Sequence, residues 1–112
     1  MDQPAVPLEI TATEAHALAQ AQPNQVLIID VREPDELAIC HVEGAQPIPM
    51  RQISGRLHEL PRNRQLLIIC HHGQRSRAVT QYLRSHGFPA VTNIAGGIAA
   101  WAEEVDSTLA QY

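Results

Sequence analysis

The chain has 112 residues, 45% of them hydrophobic, with eight Arg, no Lys and twelve acidic side chains, for a formal charge of −4. That length and apolar content fit one compact domain and argue against a disordered or fibrous chain. Net negative charge and only four aromatic residues argue against nucleic acid as a partner, and no apolar run approaches the roughly 18 residues of a membrane span.

Residues 1–7 have neither a basic nor an apolar stretch, so no secretory signal is expected and a reducing cytoplasm is the expected compartment. Thr11-Ala12-Thr13-Glu14 fits a capping box, with Ile10 and Ala15 placed as a hydrophobic staple. The helix it opens carries Ala15, Leu18 and Ala19 on one face and ends before Pro23. Val26-Leu27-Ile28-Ile29 and Leu66-Leu67-Ile68-Ile69 are continuous apolar runs of the kind found in strands covered on both faces. Between them a short helix is predicted over 33–39 and a brief strand over 46–49. Ile53, Leu57 and Leu60 are spaced for another helix, stopped by Pro61. Residues 76–86 form an amphipathic pattern stopped by Gly87, 90–94 a last strand, and Gly96-Gly97 leads into a helix with Ile98, Trp101, Ala102 and Val105 on one side. Alternation of strands and helices predicts an α/β fold with a parallel sheet and right-handed crossovers.

Cys40 and Cys70 form no Cys-x-x-Cys pair, so neither a redox dithiol nor a structural zinc site is expected. Cys70 leads the polar loop Cys70-His71-His72-Gly73-Gln74-Arg75-Ser76, between an apolar strand and an amphipathic helix. Ligands gather at the carboxyl ends of strands in such sheets. A short loop closing onto a helix N-terminus turns backbone N–H groups toward one point, which favours a thiolate and any negative charge attached to it. Gly73 permits a left-handed turn, and Arg75 adds a cation suited to pinning the loop or orienting an anionic substrate. A buried strand-end cysteine is the bland alternative.

These residues resemble the rhodanese family. The segment from Cys70 to Ser76 is similar to the family's active-site loop, with Cys70 as its catalytic cysteine. Asp30-Val31-Arg32-Glu33, His41-Val42-Glu43-Gly44-Ala45 with Ile48-Pro49, and Ala95-Gly96-Gly97-Ile98 with Trp101 are similar to its flanking signatures, in order. The resemblance implies one rhodanese domain over 5–108 with short tails, built on five mostly parallel strands with helices on both faces. It implies a sulfurtransferase that moves sulfane sulfur from a small-molecule donor such as thiosulfate, through a Cys70 persulfide, to a small thiol, a thioredoxin-like acceptor or cyanide. No cofactor or metal is required, because the sulfur is held covalently, and a monomer is expected. The N–H groups of His71, His72, Gly73, Gln74, Arg75 and Ser76 would cradle the sulfur. His71 and His72 are expected to line the loop and add positive charge near neutral pH. Asp30 and Arg32 are implied to be structural, and Trp101 is expected in the core.

Cys40 departs from the family, which usually has Gly before the His of that signature. A small buried side chain is expected there, a resolving cysteine being the alternative. Other readings of the chain are a persulfide relay to a protein acceptor, a non-catalytic interaction module, and a cysteine phosphatase. For the last, four residues separate Cys70 from Arg75 where phosphatases have five, and Asp35 and Glu36 are candidates for a general acid only by elimination.

Overall fold

The computed structural model describes residues 6–112; the expected domain start at residue 5 and most of the segment read for a secretory signal lie outside them. The five-stranded sheet has the order β1-β5-β4-β2-β3, from β1 (Glu9–Ile10), β2 (Val26–Asp30), β3 (Gln46–Pro47), β4 (Gln65–Ile69) and β5 (Val91–Ile94). Every pairing is parallel. Helices α1 (Ala12–Ala21), α2 (Pro34–Ile39), α3 (Gln74–Ser85) and α4 (Gly97–Glu104) connect and cover the strands.

Alternation along β4 shows how the two faces are filled. Leu66 and Ile68 join Val79 and Leu83 of α3 in one cluster, whereas Leu67 and Ile69 join Ala15 of α1 and Ile98 and Trp101 of α4 in the other. Both sets of side chains are fully buried, as expected of a central parallel strand. At the start of α1 the Thr11 hydroxyl accepts from the Glu14 N–H and the Glu14 carboxylate accepts from the Thr11 N–H, so the capping box forms. Trp101 is 4% exposed, in the core as its spacing requires.

Four elements differ from the sequence expectation. The helix expected around Ile53, Leu57 and Leu60 is replaced by two 3₁₀ turns, Met50–Gln52 and Leu57–Glu59. Ser54 and Gly55 interrupt the segment with poor helix formers, and isolated turns still bury Ile53 and Leu60. The strand expected over 46–49 pairs only at Gln46–Pro47, after which Ile48 and Met50 donate to the carbonyls of Asp30 and Val31. Strand β1 had no periodic signal because two residues are too few to show one; the N–H groups of Asn93 and Ala95 hold it through the carbonyls of Leu8 and Ile10. Helix α3 also begins earlier than its apolar pattern, at Gln74.

Strand β4 lies at the centre of the sheet, between β5 and β2. The loop after it therefore emerges in the middle of the carboxyl edge, flanked by the ends of β2 and β5. That position gathers Cys70, Asp30 and Asn93 into one region.

Candidate active site

Cys70 is 1% exposed and follows the last residue of β4. Its Sγ accepts from the Gly73 N–H at 3.1 Å, the Ser76 N–H at 3.3 Å and the Ser76 hydroxyl at 3.3 Å. Gly73 caps α3 with φ +102°, in the left-handed region where glycine is unstrained, and this bend turns its N–H back toward the sulfur. The sulfur thus lies at the positive end of a twelve-residue helix, within reach of three donors. Such an arrangement stabilises negative charge on sulfur without a counter-ion in contact.

Ala95-Gly96-Gly97-Ile98 builds the far side of this loop. The N–H groups of Ile98 and Ala99 donate to the carbonyls of Cys70 and His71 at 2.8 and 3.1 Å, so the start of α4 holds the start of the loop. Gly97 has φ +57°, and a Cβ there would fall on those same two carbonyl oxygens. The close approach thus requires glycine. From β5, Asn93 donates through one amide nitrogen to the carbonyl of Gly73 at 3.2 Å and to Glu9 at 2.7 Å.

Arg75 pins the loop. Its guanidinium makes a bidentate pair with the Glu36 carboxylate of α2, at 2.7 and 2.8 Å. Glu36 also accepts from the Glu33 N–H at 3.0 Å and the Tyr112 hydroxyl at 2.8 Å. The Arg75 hydrogen bonds bring its pKa down to about 2, against the opposing effect of burial. Glu36 is therefore held as a carboxylate, which removes it as the general acid considered for a phosphatase. The same pair raises the pKa of Arg75.

The other expected residues separate by role. Gln74 and the ring of His72 are exposed, and His71 is half-buried. Burial first, and then the neighbouring His72, lower the pKa of His71, so the positive charge expected there near neutral pH is disfavoured. The imidazoles of His71 and His72 stack at 3.8 Å. Asp30 and Arg32, 1% and 0% exposed, form a buried ion pair at 2.8 Å.

Cys40 is 7% exposed and packs in the α1–α4 cluster, across the sheet from the cluster that holds Cys70. Its backbone is extended, φ −164°, a conformation open to any residue, so the departure from Gly carries no backbone strain. Glu9, Asn93 and Tyr112 went unread as contributors to the site. Tyr112 lay in the tail beyond the expected boundary at 108, and no local spacing signals its contact with the loop.

The family model described as Rhodanese-like domain matches residues 11–104. The chain belongs to the rhodanese family. Sulfur transfer is the activity that this family supports. A protein of Allochromatium vinosum named Sulfurtransferase is 36% identical over 95 residues, covering 83% of this chain and 89% of its own. The Thiosulfate sulfurtransferase GlpE of Pseudomonas fluorescens is 31% identical over 94 residues, covering 83% of this chain and 86% of its own. A crystal structure from Staphylococcus saprophyticus, 36% identical, superimposes with a TM-score of 0.77 over 92% of this chain and 98% of that one. No helix among the described residues is long and apolar enough to cross a membrane.

The Glu36–Arg75 pair gives this rhodanese domain an acid-sensitive clasp. Because the folded pKa of Glu36, about 2, lies below its ordinary 4.5, its contribution is complete above pH 4.5 and is lost as pH falls toward 2. After allowance for solvent at the half-exposed Arg75, that contribution is on the order of 2 kcal/mol. Urea unfolding of the parent and Glu36→Gln at pH 7, 4 and 3 checks this. The gap between them is expected to be widest at pH 7 and to narrow at pH 3; a gap independent of pH would refute it.

Proposed function

We propose that the protein takes sulfane sulfur from thiosulfate, carries it as a persulfide on Cys70 and delivers it to a thiol acceptor in the reducing cytoplasm. The convergence of the Gly73 N–H, Ser76 N–H and Ser76 hydroxyl on Cys70 Sγ is the observation that carries this reading. In the first half-reaction the Cys70 thiolate attacks the outer sulfur of thiosulfate. The new S–S bond forms as the old one breaks, and sulfite leaves with the bonding pair. In the second, an acceptor thiolate or cyanide attacks the outer persulfide sulfur and the Cys70 thiolate departs. Negative charge passes from Sγ to the outer persulfide sulfur and back to Sγ, close to the positive end of α3 in both states.

Three features favour this chemistry over phosphoryl transfer. The buried sulfur and short loop suit a small anion. Arg75 is committed to Glu36 and shapes the loop, where phosphoryl transfer needs a free guanidinium. Glu36, held as a carboxylate by Arg75, has no proton to give a leaving alkoxide. A groove of about 570 Å³ opens beside Arg75, lined by Met50, Ile53, Val79 and Tyr82 among others, and offers room for an acceptor surface next to the loop.

Turnover is to be compared on thiosulfate, mercaptopyruvate and an aryl phosphate, with cyanide and thioredoxin as sulfur acceptors. Thiosulfate is expected to be the fastest donor, with both acceptors discharging the enzyme. Aryl phosphate hydrolysis equal to or above thiosulfate turnover would overturn the assignment. Loading from a desulfurase persulfide but not from thiosulfate would replace thiosulfate with a protein donor.

A further inference from the structure

The Cys70 loop is tied down from below by the start of α4 and from the side by Glu36. A residue far along the chain reaches its first histidine. The Tyr112 ring lies on the His71 imidazole, with centroids 3.8 Å apart and planes 12° from parallel, and His71 in turn lies on His72. The Tyr112 hydroxyl accepts from Arg32 at 2.9 Å and donates to Glu36 at 2.8 Å.

We infer that Tyr112 is a positioning residue for the Cys70 loop, its ring clamping His71 and its hydroxyl joining the Arg32–Asp30 pair to the Glu36–Arg75 pair. A side chain 40% exposed has no need of a stacking partner and two ionic neighbours for burial alone. Two of its three partners, His71 and Glu36, bear on the loop that shapes the sulfur site. His71 directly follows Cys70, and Glu36 fixes Arg75, which directly precedes the Ser76 whose N–H and hydroxyl reach Sγ. Burial pushes the hydroxyl up to about 12, the Glu36 bond adding to this and the Arg32 bond opposing it, so the phenol keeps its proton and donates across the working pH range.

The ring and the hydroxyl have separable effects. Losing the ring uncovers His71, whose pKa is lowered first by burial; the groups that face it are His72, Glu36, Arg32 and Tyr112. Losing only the hydroxyl leaves the stack and takes one of two donors from Glu36 Oε2, which keeps its bond from Arg75. Small displacements of a reacting group cost rate steeply, so a loosened loop is expected to slow sulfur uptake while donor affinity changes little.

The inference rests on Cys70 as the sulfur carrier, and its test uses measurements with and without a donor. The parent, Tyr112→Phe and Tyr112→Ala are compared in thiosulfate loading, in amide hydrogen exchange at Gly73 and Ser76, and in the NMR titration of His71. For Tyr112→Ala, kcat for loading is expected to fall about tenfold with KM within about twofold. Exchange at the two amides is expected to rise by a similar factor and the His71 titration to move upward. Tyr112→Phe is expected to keep the parent His71 titration and lose about threefold in kcat. Loading and exchange in Tyr112→Ala within twofold of the parent, or an unmoved His71 titration, would overturn the role. Should the parent take no sulfur from thiosulfate, the exchange and titration results still decide the role of Tyr112, and the proposed donor chemistry alone fails.

Discussion

Replacing Cys70 with Ser is expected to abolish sulfur transfer while leaving the fold intact. A hydroxyl cannot hold a sulfane sulfur as a persulfide, so the loss is expected to reach at least about 10³-fold in turnover. The smaller oxygen can still accept from the Gly73 N–H and the Ser76 N–H and hydroxyl that meet Sγ, so stability is expected to change by only about 1 kcal/mol. Intact-mass measurement after thiosulfate treatment is the direct check. The parent should gain one sulfur atom and Cys70→Ser none, with thermal unfolding as the control. Cys40→Ser should load like the parent, because Cys40 packs on the opposite face of the sheet. Sulfur uptake that persists in Cys70→Ser would refute the role of Cys70, and loss of transfer in Cys40→Ser would restore a resolving cysteine.

The second large effect concerns stability, and Arg32 carries it. This side chain is 0% exposed. Its Nε reaches both Asp30 oxygens at 3.0 and 3.1 Å, while Nη2 donates to Asp30 at 2.8 Å and to the Cys40 carbonyl at 2.8 Å. Burial alone would lower the arginine's pKa, but the hydrogen bonds it donates to Asp30 and Tyr112 outweigh it and raise the value. Arg32→Ala leaves a carboxylate 1% exposed without its partner, the Cys40 carbonyl without a donor, and a cavity. Breaking a buried pair from one side typically costs about 3–5 kcal/mol. Against the 5–15 kcal/mol of a typical domain, that is a large share. The double variant Arg32→Met with Asp30→Leu removes both charges together and is expected to recover a substantial part of the loss. Urea unfolding of the three proteins decides it. A loss below about 1 kcal/mol in Arg32→Ala would mean that water repairs the site.

Both effects fall on residues the sequence singles out, yet they are unequally legible there. Cys70 announces itself by position, at the switch from a continuous apolar run to a polar, Gly-containing loop that opens an amphipathic helix. Arg32 carries no such local signal beyond its place in a family signature. Its role depends on Cys40, eight residues on, and on Tyr112, eighty residues on. The failed helix around Ile53 teaches the same point from the other side. Apolar spacing reports which residues must be buried, and two short turns satisfied that demand as well as a helix would.

Sequence alone determined the class of fold, the central strands, the capping of α1 and the place of Cys70 at the head of the loop after β4, because each follows from contacts among near neighbours or from one motif in order and spacing. It also determined that Gly73 and the Gly96-Gly97 pair stand at turns, whereas the close approach of Gly97 to the carbonyls of Cys70 and His71 belongs to the tertiary structure. Tertiary structure decided how the loop is held. The partner of Arg75 on α2, the hold of α4 on the carbonyls of Cys70 and His71, the hold of Asn93 on Gly73 and the return of Tyr112 all join residues distant in the chain. Backbone periodicity records burial and local turns; it carries no record of which distant side chains a parallel sheet will set side by side at its carboxyl edge.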